Sequence, residues 1–163
     1  MHLLQRFNAL LVTAGCWGTI LFVTVIAVVV PYEVIGRYVF QKMTIWSGEV
    51  STYSLVWASM LGGAAGLKKG YMISMTAVLE TLPRGLGRVF KLISYLCALF
   101  FFGAMFGYGV FQTLYNAHQT SPAIGLAMSY PYAALPTGFF IMFFLTMEEF
   151  LVSLGLDTKG SGQ

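Results

Sequence analysis

The side chains able to hold, move or recognise a charge are few in this sequence, and they are gathered. The chain has nine Lys and Arg, six Asp and Glu, two His and two Cys. One group lies in "RYVFQKMTIWSGEV", where Arg37, Lys42 and Glu49 stand among Tyr38 and Trp46. These five residues are either the polar ends of two membrane helices or a candidate docking interface. A second group is Lys68, Lys69, Arg88 and Lys91 with the acids Glu148 and Glu149. It can form an ion-paired collar, a solvated helix end, or an anchor to anionic lipid. Haem ligation would need paired axial ligands, and His2 and His118 fall on opposite sides of the predicted membrane. No metal cluster, phosphate-binding glycine loop or nucleophile–base set is present, so no catalytic, metal, cofactor or substrate-binding residue is expected. A net charge of +3 is too small and dispersed for nucleic acid. The chemistry on offer is recognition, and an enzyme is not expected.

The elements that must position these groups follow from where charge is missing. Charged residues make up 9% of the chain and hydrophobic ones 58%, against roughly 25% charged in a soluble domain. No Asp, Glu, Lys or Arg occurs from Phe7 to Tyr32, from Val50 to Leu67 or from Leu92 to Met147. About 20 apolar residues cross the hydrocarbon core as a helix. The runs therefore predict an all-α integral membrane protein with four transmembrane helices, at about 10–30, 48–67, 90–114 and 131–151, forming one domain. The first helix is expected to continue past Pro31 towards Phe40. Glu33 and Arg37 are four apart with the acid first, the favourable order for a helix-face ion pair; Arg37 is also placed to reach a partner.

Between the second and third spans, Met72, Met75, Leu79 and Leu82 recur near helical period beside Ser74, Thr76 and Glu80. This predicts an amphipathic interfacial helix over about 71–82, ended by Pro83. Gly62 and Gly66, like Gly103 and Gly107, are four apart, a spacing that lets helices approach closely. The link from Tyr115 to Tyr130 has no charge and is broken by proline, so it must lie at the interface or against protein. Residues 153–163 form a short polar tail. Cys16 and Cys97 fall inside spans, which argues against a disulfide framework, and no cleavable signal is expected.

Lys and Arg favour the cytoplasmic ends of spans. Seven of the nine lie in segments that share one side, against two, Arg37 and Lys42, on the other. This predicts both termini and the central link inside, with the first and third links outside.

"RYVFQKMTIWSGEVSTYSLVWASMLGGAAGLKKG" resembles the small membrane subunit (DctQ-like, or Q subunit) of tripartite ATP-independent periplasmic (TRAP) transporters. The resemblance is carried by Arg37, Tyr38, Phe40, Trp46, Glu49, Trp57, Gly62-Gly63-Ala64-Ala65 and Lys68-Lys69-Gly70. It continues in "TSPAIGLAMSYPYAALPTGF", similar to the family's Ser-Pro segment and Pro-Tyr-x-x-x-Pro-x-Gly approach to the last span. Gly48 stands where the family often has a first acid, and Met72 and Thr76 where it often has His and Asp. The resemblance implies a multi-pass protein of the bacterial inner membrane. It implies a fixed brace for a large M-like subunit that carries substrate and sodium, helping a periplasmic binding protein to dock. It also implies import of an organic anion, of carboxylate or sialic-acid type. The alternative is a membrane-anchor subunit of a redox complex without bis-His haem.

Overall fold

A computed structural model describes residues 2–41, 45–79 and 84–154. Lys42 and the tail from residue 155 lie outside them, as do residues 80–83; the side chains of Lys69 and Arg88 are likewise outside the description. Helix α1 spans His2–Tyr38, α2 Ile45–Leu79 and α3 Arg84–Tyr115. A 3-10 turn over Asn116–His118, a one-turn helix α4 over Ser129–Tyr132, and α5 over Ala134–Ser153 complete the order. Among the described residues there is no strand, only an isolated antiparallel bridge between Thr120 and Ala127.

Apolar side chains all round and few internal helix breakers make these segments helical where backbone groups must find partners within their own segment. Hydroxyls are satisfied the same way: Thr13, Thr19, Thr24, Thr113 and Thr146 each donate to the carbonyl four residues back, at 2.7–2.8 Å. The 37-residue α1 is about 55 Å long at 1.5 Å per residue, well beyond a hydrocarbon core of roughly 30 Å. It runs through Pro31 and ends at Tyr38.

Helices α1, α3 and the α4–α5 segment are long and apolar enough to cross a membrane. The run in α2 is diluted by Ser51, Thr52, Tyr53, Ser54 and Ser59 between Glu49 and Lys68, and α2 is not among those three. Helix α2 also continues unbroken through residues 71–79, so the described part of the expected interfacial segment extends the same helix.

α1 packs along α2, α3 packs along α5, and the two pairs join where α2 meets α5. Their shared core is Leu61, Ala64, Ile141 and Leu145, flanked by Leu11, Val12, Phe22, Trp57 and Met142. Each interface closes over a glycine. A Cβ on Gly18 would lie 2.7 Å from Leu61 Cδ1, and one on Gly138 would lie 2.8 Å from Met60 Cβ. One on Gly109 would lie 3.0 Å from the backbone nitrogen of Pro136. Phenylalanines fill the α3–α5 seam, with Phe106 on Phe140 at 5.6 Å and Phe140 on Phe144 at 4.7 Å.

Candidate functional site

Polar groups meet at two ends of the bundle. At one end α1 finishes, α2 begins, and the segment 116–130 folds back over them. Arg37 Nη2 lies 3.3 Å from Glu33 Oε1, with both side chains partly exposed. Tyr38 is 78% exposed, which leaves its ring free to touch another surface. Trp46 is half-covered by Tyr32, ring centres 6.0 Å apart.

Glu49 is half-buried, and each of its oxygens is engaged. One carboxylate oxygen accepts the Ser121 hydroxyl, and the other accepts the Ala123 backbone N–H at 3.2 Å. One turn further along α2, the Tyr53 hydroxyl donates to Met128 Sδ at 3.5 Å. After another turn, Trp57 Nε1–H donates to the Tyr130 carbonyl at 3.2 Å while its ring stacks on Phe22 at 5.6 Å. Glu49, Tyr53 and Trp57 thus form one stripe at four-residue spacing, and all three hold the same segment.

That segment has its own closure. Ser121 N–H donates to the Leu126 carbonyl at 2.8 Å, and Gly125 N–H to the Ser121 carbonyl at 3.0 Å. Gly125 has a positive φ of 74°, where a side chain would be strained. Met128 N–H reaches the Gln119 carbonyl at 2.8 Å. The spacing Glu-x-x-x-Tyr-x-x-x-Trp was the sequence signal for this clamp. It passes unnoticed because its partners, two side chains and two backbone groups, lie more than 70 residues away.

At the opposite end, Asn8 is completely buried. Its Nδ2 donates to Glu148 Oε2 at 2.6 Å and to the Phe144 carbonyl at 3.2 Å, joining α1 to α5. Its Oδ1 is buried without a partner. The Lys91 ammonium lies 5.9 Å from the Tyr95 ring centre. Among the described residues, no ion pair joins Glu148 or Glu149 to Lys68 or Lys91. Asn8 could not be singled out from sequence, because a lone amide within an apolar run carries no spacing signal.

The four glycines chosen by spacing differ in surroundings. A Cβ on Gly62 would sit 3.3 Å from Thr19, and one on Gly103 3.7 Å from Phe143, whereas Gly66 and Gly107 face open space. Gly103 and Gly107 line a shallow groove of about 450 Å³ on α3 with Ala104, Tyr108 and Phe111. Among the described residues, no group of His, Cys, Asp and Glu is arranged to hold a metal ion.

Long apolar helices with polar groups at their ends define a multi-pass membrane protein. The family model "Tripartite ATP-independent periplasmic transporters, DctQ component" matches residues 26–155, and the chain belongs to that family. It is similar to the C4-dicarboxylate TRAP transporter small permease protein DctQ of Rhodobacter capsulatus, 28% identical over 118 residues, 71% of this chain and 51% of that protein. It is also similar to the ectoine TRAP transporter small permease protein TeaB of Halomonas elongata, 30% identical over 112 residues, 67% of this chain and 58% of that one. The DctQ of Vibrio cholerae is 26% identical over 69 residues, 42% of this chain and 30% of that protein. The chain thus spans from under a third to about three-fifths of the length of these curated relatives. Membership and the three apolar helices give a small TRAP permease subunit, multi-pass in the bacterial inner membrane.

Proposed function

We propose that this chain is the fixed membrane brace of a sodium-coupled, binding-protein-dependent importer of an organic anion. The match across residues 26–155 carries the reading. In it, α1, α2, α3 and α5 are four spans with both termini inside, so that Arg37, Lys42 and the 116–130 segment face the periplasm. The uneven distribution of Lys and Arg supports that orientation. The large subunit holds the substrate and sodium sites and moves against this chain. No charged residue in the mid-span runs offers a coupling-ion site of its own, and intramembrane charge is where such sites are usually built.

The exposed apolar surface supports the bracing role. Only 6% of the most apolar window of α1 and 11% of that of α3 are buried, so both flanks must be covered by lipid or a partner. Gly107, which faces open space, would let a partner helix approach α3 closely. Lys68, Lys69, Arg88 and Lys91, with Glu148 and Glu149, form the inner belt that meets anionic headgroups. C4-dicarboxylate in the names of two relatives favours a carboxylate substrate over sialic acid. Membership of a transporter family displaces the redox-anchor alternative.

Co-expression tests the brace directly. A tagged chain should retain the large subunit through gel filtration in mild detergent. In intact spheroplasts of the same strain, Gln119→Cys should react with an impermeant maleimide and Gly85→Cys should not. Loss of the large subunit from the tagged chain would end the brace reading; reversed labelling would end the orientation.

A further inference from the structure

We propose that Glu49 is a positioning residue for docking: it fixes the shape of the segment 119–130, and the folded segment is what the binding protein reads. This rests on the proposed periplasmic orientation and on the docking role that the family resemblance implies.

Both carboxylate oxygens of Glu49 already accept a bond from the segment, the Ser121 hydroxyl on one and the Ala123 N–H on the other, and the side chain is half-buried. Its location between α2 and the segment makes it an internal strut. The bonds also run in one direction. The Ile124 N–H donates to the Ser121 hydroxyl oxygen at 3.4 Å, and that hydroxyl's own proton goes to Glu49. The carboxylate therefore orients Ser121, and the oriented Ser121 orients the tip of the turn. Ser121 is 3% exposed, so water cannot easily replace Glu49 there. Without the carboxylate, a buried hydroxyl and an amide lose their acceptor together, and leaving such groups unmet is costlier than a mean hydrogen bond is worth.

What the strut presents is apolar. Ile124 and Leu126 at the tip are 41% and 39% exposed, on a segment with no charged side chain. Held in one conformation, such a tip loses less entropy on binding than a mobile one, which is how rigidity becomes affinity.

The test uses the complete transporter with Glu49→Gln, Ser121→Ala and the double variant. The carboxylate supplied is one first shown, radiolabelled, to bind the cognate binding protein. Each variant should raise the binding-protein concentration for half-maximal uptake by roughly tenfold, the scale of one lost charge-assisted hydrogen bond. Maximal uptake should stay close to wild type. The double variant should be less harmful than the two single effects combined, because both act on the Ser121–Glu49 contact. In parallel, a nitroxide on Ile124→Cys, read in the subunit alone in nanodiscs, should become more mobile with Glu49→Gln. An unchanged nitroxide spectrum would overturn the strut. A mobile tip with unchanged half-saturation, or a defect from Glu49→Gln that Ser121→Ala does not share, would overturn reading through the segment. If the wild-type complex itself takes up nothing, the proposed function fails, while the nitroxide still decides whether Glu49 holds the tip.

Discussion

Asn8 and Glu49 do similar work at opposite ends of the bundle, and for the same reason. Each places a polar group where water is scarce and then spends it on a contact between distant segments. Asn8 is the less balanced of the two, since Nδ2 makes two bonds while Oδ1 makes none. Asn8→Ala should destabilise the subunit by about 1.5–3 kcal/mol, the range for hydrogen bonds to charged groups, because Glu148 loses its donor. Glu148→Gln should cost less, since an amide oxygen can still accept from Asn8. Asn8→Asp should cost most, as it replaces a donor by a second carboxylate. Unfolding midpoints in detergent check that order. Equal midpoints for all three variants would mean that the Asn8–Glu148 contact stabilises nothing.

Interfaces between helices are decided by which glycines are covered. Gly109 faces the backbone of Pro136, which cannot swing aside, so Gly109→Ala should push α3 from α5 and lower the melting temperature. Gly18 meets only the flexible end of Leu61, and Gly18→Ala should cost less. Gly107 is open, and alanine there should be neutral or slightly stabilising, given its better helix propensity. Thermal melts of the three single variants would rank them, and a Gly107→Ala penalty equal to that of Gly109→Ala would refute this packing. Sequence spacing pointed to Gly62, Gly66, Gly103 and Gly107, yet the closest approaches involve Gly18, Gly109 and Gly138. Four-residue spacing says that two glycines share a face, and it cannot say which face meets a neighbour. Helical character and long apolar runs were legible because the bilayer demands them locally. The clamp at Glu49 was not, since its meaning depends on residues 121–130 returning to α2. The Glu33–Arg37 pair was legible for the opposite reason, because its partners are one turn apart.

As a whole the molecule is a thin assembly of long helices with little interior and much apolar surface. Its buried core is small, and large side chains such as Phe100, Tyr108 and Phe111 are exposed along α3. A subunit of this build suits lateral packing, and Asn8 and Glu49 are committed to holding its own segments in place. The account's central claim is that the chain moves no solute itself and is required by partners that do. The most direct test is sodium-driven uptake of a radiolabelled carboxylate into proteoliposomes. The vesicles would hold this chain alone, the large subunit alone, or both, each with the loaded binding protein outside. The account predicts uptake above background only when both membrane subunits are present. Sodium-driven uptake by this chain alone, or full uptake by the large subunit without it, would contradict the account.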